Sequence, residues 1–300
     1  MRLLTRSDFD GLACAAILMD IGVIDGWKFV HPKDLQDGIV EVTENDVLAN
    51  VPYVKGCGLW FDHHTSEGER LSRVEAKGLV QYIDSAAHVV YNYYKGAHDL
   101  TKFNEMLAAV DKVDSAKLTA DEIKNPEGWI LLGFIMDPRT GLGRFRDFAI
   151  SNYQLMEKLI PACRSMGIQE ILAMPDVSER IVMYNEQNAM FIDMLRQHTR
   201  TSGSVIVTDL RDVSPIYSGN RFLVYSLFPE QNVSVWVVDG KQKQNCAIAV
   251  GHSVLNRTCE RDVGSILLGY GGGGHRQVGT CQVDYADTDR VIGELIEKLQ

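Results

Sequence analysis

Three hundred residues are too many for one ordinary core and too few for three, so two domains of unequal size are expected. Apolar content of 45% and charged content of 23% exclude a disordered or membrane-embedded chain. A net charge of −10, with no long Lys/Arg cluster, argues against a protein that tracks long nucleic acid and favours a small anionic substrate drawn into a local positive pocket.

No segment approaches the ~20 uninterrupted apolar residues that span a bilayer. The start, MRLLTRSDFDG, turns polar too early for a signal peptide, so a cytoplasmic location is expected. Cys14, Cys57, Cys163, Cys246, Cys259 and Cys281 show no CxxC spacing and read as reduced thiols, not zinc ligands.

Residues 1–6 (MRLLTR) read as a short buried strand, followed by a Ser-Asp-Phe-Asp-Gly turn and an apolar helix over Leu12–Asp20 that stops near Gly22. Trp27–His31 reads as a second strand, Val47–Tyr53 as a third interrupted by Pro52, and Gly58–Phe61 as a short apolar fourth. Strands alternating with helices imply a mostly parallel sheet with helices on both faces, and ligands then bind beyond the carboxyl ends of the strands. Helices are expected over Ser85–Tyr94, Thr101–Val113 and Phe145–Met166, the last broken or kinked at Pro161. Helical spacing of apolar residues over Ser178–His198 predicts a connector between two domains. Beyond Gly203, Val205–Leu210, Phe222–Phe228, Val233–Val238, Cys246–Val250 and Thr280–Val283 read as strands. Val263–Leu268 reads as a short helix and Asp287–Leu299 as a closing one. The fold class is α/β: an N-terminal, mostly parallel sheet, plus a smaller C-terminal α/β domain joined by a helical linker.

Four strings carry chemistry. In Ser7-Asp8-Phe9-Asp10-Gly11 two carboxylates one residue apart in a turn can face one space and offer oxygen ligands to a hard divalent cation, although the same string also reads as a helix cap. Trp60-Phe61-Asp62-His63-His64 ends a buried strand in three potential ligands, where one imidazole can bind metal, the other meet substrate, and the carboxylate orient a ring. Asp111 and Asp114 share one face at a helix C-terminus, an unfavourable place for anions unless a cation compensates; Asp111 ranks slightly ahead. The run Gly271-Gly272-Gly273-Gly274-His275-Arg276 lets backbone N–H groups turn inward as an anion cradle and matches neither a P-loop nor a dinucleotide fingerprint. Arg257, upstream of it, is suited to bidentate phosphate contact.

SDFDG, then FDHH, then GGGGHRQVG resembles the DHH phosphoesterase superfamily with its DHH-associated C-terminal domain, in the branch of oligoribonucleases, nucleoside-bisphosphate phosphatases and exopolyphosphatase relatives. The resemblance covers essentially the whole chain. It implies a catalytic metal-binding domain over residues 1–175, a helical linker over 176–202 and a substrate-binding domain over 203–300. It further implies a centre of one or two Mn2+ or Mg2+ ions and a substrate cleft. Carried over by motif, Asp8, Asp10, His63 and Asp111 or Asp114 are metal ligands, Asp62 orients a ligand, and His64, Arg257, His275 and Gly272–Gly274 meet substrate phosphate.

Two departures from the family pattern stand out. The His that members carry shortly before the Asp-x-Asp turn is absent, with Arg6 and Ser7 at the neighbouring positions, and the metal-bridging Asp before the DHH strand is replaced by Asn50. An amide brings no charge to offset two cations about 4 Å apart, so Asn50 and Arg6 mark a weakened metal position. The expected function is metal-dependent hydrolysis of a small phosphorylated substrate: a short single-stranded oligonucleotide, nucleoside bisphosphate, cyclic dinucleotide or polyphosphate. The alternative is a nucleotide- or polyphosphate-binding sensor with weakened catalysis. Exposed-edge strands allow a homodimer.

Overall fold

Short buried strands alternating with helices produce a parallel sheet in the first half of the chain. The computed structural model describes residues 1–64, 76–145 and 147–300. The chain divides into two units, one of Met1–Lys117 with Pro126–Val182 and one of Leu118–Asn125 with Met183–Gln300.

In the first unit β1 (Arg2–Thr5), β2 (Gly26–Phe29), β3 (Asp46–Ala49), β4 (Leu59–Asp62) and β5 (Gly78–Val80) form a sheet in the order β2-β1-β3-β4-β5, every pair parallel. The strand order reverses between β1 and β3, where open parallel sheets characteristically take their ligands. Helix α1 (Phe9–Asp20) is buried almost all round, as the unbroken apolar run from Leu12 to Met19 requires. It leaves β1 so tightly that a Cβ at Gly11 would sit 2.1 Å from the Arg6 carbonyl oxygen. Among the described residues the other α-helices of this unit are α2 (Pro32–Gln36), α3 (Ala86–Tyr94), α4 (Asn104–Asp114), α6 (Gly128–Met136), α7 (Asn152–Ser165), α8 (Ile168–Leu172) and the first part of α9 (Pro175–His198). Helix α7 starts seven residues later than expected, at the Ser151 capping box, and carries Pro161 in its interior.

The second unit holds α5 (Ala120–Lys124), the rest of α9, and a six-stranded mixed sheet. Its strands are β6 (Thr199–Ser202), β7 (Val205–Asp209), β8 (Val233–Asp239), β9 (Cys246–His252), β10 (Gly273–His275) and β11 (Val278–Val283), ordered β10-β11-β9-β8-β7-β6. Alternate residues of β7, β8 and β9 face a core closed by Val263 and Leu267 of α11 (Val263–Leu268) and Val291, Ile292 and Leu295 of α12 (Tyr285–Leu299).

Two expected strands are corrected. The run Phe222–Phe228 contains a helix, α10 (Leu223–Leu227), in which Leu223, Val224, Tyr225 and Ser226 are all buried. A short run buried on every side has no alternation to report, so its sequence suits either state. The third strand stops at Ala49, because Asn50 takes a left-handed φ of 58°, a conformation Asn tolerates better than most residues. Among the described residues no helix is long and apolar enough to cross a membrane.

Asp46 ties the sheet together at the opposite end of β3. Its buried carboxylate accepts from Arg2 Nε (2.7 Å) and Nη2 (3.1 Å), from Thr43 N (2.7 Å) and from the Thr43 hydroxyl (3.1 Å). Burial pushes this carboxyl up, but the Arg2 and Thr43 hydrogen bonds outweigh it and hold it below the usual carboxylate range. A depressed native pKa means that the stabilisation is complete above about pH 4 and is lost as pH falls through the native value. Asp46→Asn should therefore cost about 1.5–3 kcal/mol near pH 7. Urea unfolding should show the gap between variant and wild type narrowing as pH is lowered below the ordinary carboxylate value; a gap independent of pH contradicts this assignment.

Candidate metal centre

The carboxyl ends of β1, β3 and β4 bring the sequence motifs together. Asp8 caps α1, its Oδ1 accepting from Gly11 N at 2.9 Å, while Asp10 points inward from the first turn of the same helix. The Asp10 side chain is fully buried and accepts from the first amides of α3, Ala86 N (2.9 Å) and Ala87 N (2.7 Å). Helix N-termini hold anions in this way. Burial, and then the charges of Asp114 and Asp8, nevertheless push the Asp10 carboxyl well above the usual range against the pull of those amides.

His63 supplies the nitrogen. Its Nδ1 lies 3.1 Å from the Ile83 carbonyl, which only accepts, so Nδ1 carries the proton and Nε2 presents a lone pair. That Nε2 is buried without a hydrogen-bond partner, 3.3 Å from Asp114 Oδ2 and 3.8 Å from Asp10 Oδ2. A lone pair facing two carboxylates is repulsive unless a proton or a cation lies between them. Asp10, His63 and Asp114 offer ligand atoms within 4.8 Å of one another, an oxygen-rich set with one imidazole that suits Mn2+ or Mg2+.

His64 is held differently. Its Nδ1 donates to Asp62 Oδ1 at 2.7 Å, and the same oxygen accepts from the backbone N–H groups of His63 (2.8 Å) and His64 (3.3 Å). The bond to Asp62 raises the pKa of His64 against the opposing effect of burial. Asp62 thus orients the ring of His64, whereas the ring of His63 is fixed by Ile83.

Three sequence expectations change here. Asp111 does not join the cluster: Ser85 Oγ donates to its Oδ1 at 2.6 Å and His88 Nδ1 lies 2.7 Å from its Oδ2. The two Asp share a helical face, but α3 packs over Asp111 and leaves Asp114 to face His63, so the order of preference reverses. Asp8 stands beside the cluster: its Oδ1 also accepts from Asn50 Nδ2 (3.1 Å) and its Oδ2 pairs with Arg6 Nε (3.1 Å). The glycine run, thirdly, leads into an edge strand and is not an open cradle. Gly273–His275 pairs antiparallel with β11, and an extended backbone alternates its N–H directions. Its glycines satisfy close packing, since a Cβ at Gly272 would lie 2.2 Å from the Thr280 carbonyl oxygen and one at Gly274 2.2 Å from that of Val278. In the same unit His275 is exposed, and Arg257 donates Nε to the Val254 carbonyl at 3.1 Å.

Sequence reasoning passed over His88, Asp137 and Arg139. The last two line the small cavity that also contacts Asp8, Asp10 and Asp114. No spacing rule links a residue after α6 to a motif 75 positions earlier.

No family model and no curated protein matches the chain. Among solved structures, a pGpG-specific phosphodiesterase, PggH of Vibrio cholerae, is 43% identical, with a TM-score of 0.90 over 99% of this chain and 98% of that one. The chain belongs to the DHH phosphoesterase superfamily. An exopolyphosphatase-related protein of Bacteroides fragilis shares this DHH fold at 11% identity and a TM-score of 0.53, covering 99% of this chain and 91% of that one. RecJ of Thermus thermophilus in complex with Mn2+ does so at 13% identity and a TM-score of 0.50, covering 99% and 51%. As a DHH phosphoesterase the chain is a hydrolase of phosphoester or phosphoanhydride bonds.

Calorimetric titration with Mn2+ should separate the two helix carboxylates of this DHH centre. Loss of residues that merely orient metal ligands typically costs about 10–100-fold in affinity, so Asp114→Ala should exceed that range and Asp111→Ala should stay at or below its lower end. The opposite order contradicts the assignment.

Proposed function

We propose that this DHH phosphoesterase is a metal-dependent phosphodiesterase that hydrolyses a short linear dinucleotide of the pGpG type to mononucleotides. The observation that carries the reading is the buried, unpartnered His63 Nε2 facing Asp10 and Asp114. The 43% identity to a pGpG-specific phosphodiesterase over nearly the full length of both chains supports the substrate class.

Asp10, His63 and Asp114 would hold the cation, Mn2+ or Mg2+, which would supply Lewis-acid stabilisation of phosphoryl charge and lower the pKa of water. The α3 amides favour the ionised form of Asp10 and hold it in place, and the Ile83 carbonyl fixes the tautomer of His63. His64, held by Asp62 with a raised pKa, is the acid that donates a proton to the departing oxygen. Addition of water across the bridging P–O bond leaves a phosphate on one nucleoside and a hydroxyl on the other.

The ion number in this reading is one. Arg6 Nε and Asn50 Nδ2 both engage Asp8, where a second cation would need its charge; a guanidinium there repels further positive charge, and the buried Asn50 Oδ1, left without a hydrogen-bond partner, is neutral. The same two contacts favour, as a second reading, a nucleotide-binding protein of slow turnover.

With Mn2+ supplied, pGpG should be cleaved to GMP with a kcat/KM at least about 10²-fold above that for cyclic diguanylate, pyrophosphate or polyphosphate. His63→Ala should remove turnover. Comparable rates on polyphosphate, or an active His63→Ala protein, contradict the proposal; saturable pGpG binding without turnover selects the second reading.

A further inference from the structure

Helix α6 ends at Asp137, and Pro138–Thr140 forms a 3-10 turn that Gly141 closes with a φ of 86°. Asp137 caps this turn, its Oδ1 accepting from the backbone N–H of Arg139 at 2.8 Å. The same carboxylate takes the Arg139 guanidinium side-on: Nε donates to Oδ1 at 2.7 Å and to Oδ2 at 3.0 Å. The Asp137 side chain is 9% exposed and that of Arg139 54%. The anchor is therefore inside and the guanidinium at the opening.

Side-on attachment spends Nε and leaves the fork. Among the described residues Nη1 and Nη2 of Arg139 have no protein acceptor, although Asp8, Asp10 and Asp114 line the same cavity. Asp137 is the carboxylate within ion-pair distance of Arg139, while Asp8 and Asp114 act on it from farther away. An arginine that served only to cap the turn would have no need of this position, because the capping bond is made by its backbone. Two parallel N–H groups in a rigid plane match two oxygens of a phosphoryl group, and a nearby cluster of carboxylates gives an anion no other reason to approach unless a cation is bound there.

We propose that Arg139, held by Asp137, is the residue of the first unit that binds the substrate's phosphoryl group through its Nη1 and Nη2 groups. This rests on the phosphoesterase reading of the Asp10, His63 and Asp114 cluster and adds to it a phosphate-binding residue with no place in either sequence motif. Asp137 is a positioning residue that acts through Arg139.

The test uses the full chain loaded with Mn2+, comparing wild type with Arg139→Ala, Arg139→Lys and Arg139→Gln. Orthophosphate binding is measured by calorimetry, pGpG hydrolysis by product formation, Mn2+ affinity and Tm alongside. Arg139→Ala should weaken orthophosphate binding by about tenfold or more and lower kcat/KM by about 10²-fold, with Mn2+ affinity and Tm near those of wild type. Added guanidinium should restore part of the activity of Arg139→Ala. Lysine should restore less than half of the lost affinity, because it lacks the fork. Wild-type phosphate affinity in Arg139→Ala overturns the proposal. So does a loss that follows Mn2+ affinity or Tm in both the Ala and Gln variants, or orthophosphate that binds no form of the protein. If wild type binds orthophosphate through Arg139 yet cleaves no phosphoester, the hydrolytic reading fails and this one stands.

Discussion

Asp10 is a buried carboxylate with two amide donors below it and a second carboxylate across from it, and the arrangement of the first unit follows from keeping its charge in place. The amides of Ala86 and Ala87 are free to donate because they open α3, and α3 stands there because Ser85 caps it and ties it to Asp111. Against these bonds work burial and the repulsion of Asp114 and Asp8. His63 adds a lone pair to the same space. A proton or a cation between them relieves the repulsion, and two carboxylates with one imidazole lone pair suit a hard divalent cation at the floor of a phosphoesterase.

The centre is lopsided in charge. On one side Asp10, His63 and Asp114 have no cationic side chain within ion-pair distance among the described residues; on the other Asp8 is already engaged by Gly11, Asn50 and Arg6. Arg6 and Asn50 stand beyond β1 and β3, the two strands at which the strand order reverses. A fixed guanidinium and an amide thus occupy the ground where a second ion's charge would otherwise be balanced. With one cation, as proposed, the chemistry of this site would lean on protein groups, which raises the weight carried by the His64–Asp62 pair and by Arg139.

Much of this was legible in the sequence, for identifiable reasons. A strand that is wholly apolar until it ends in Asp-His-His announces both its burial and its rim, and Asp-x-Asp followed by glycine announces a turn pressed against its own strand. The choice between Asp111 and Asp114 was not legible, because helical periodicity puts both on one face and a different helix, α3, decides which is covered. Phe222–Phe228 carries no period, so its helix is settled by packing alone. The glycine run reads equally as a nest or as a strand needing close approach, and only the register with β11 distinguishes them. Arg139 depends on the fork left over after Asp137 has taken Nε, a detail of side-chain geometry without a sequence signature.

The central claim is that one cation sits among His63 Nε2, Asp10 and Asp114. Anomalous diffraction at the manganese edge from crystals grown with Mn2+ measures this directly. A single strong peak beside those three side chains is expected, with Asp8 still paired to Arg6. A peak of equal height bridging Asp8 and Asp10, or no peak beside His63, contradicts it.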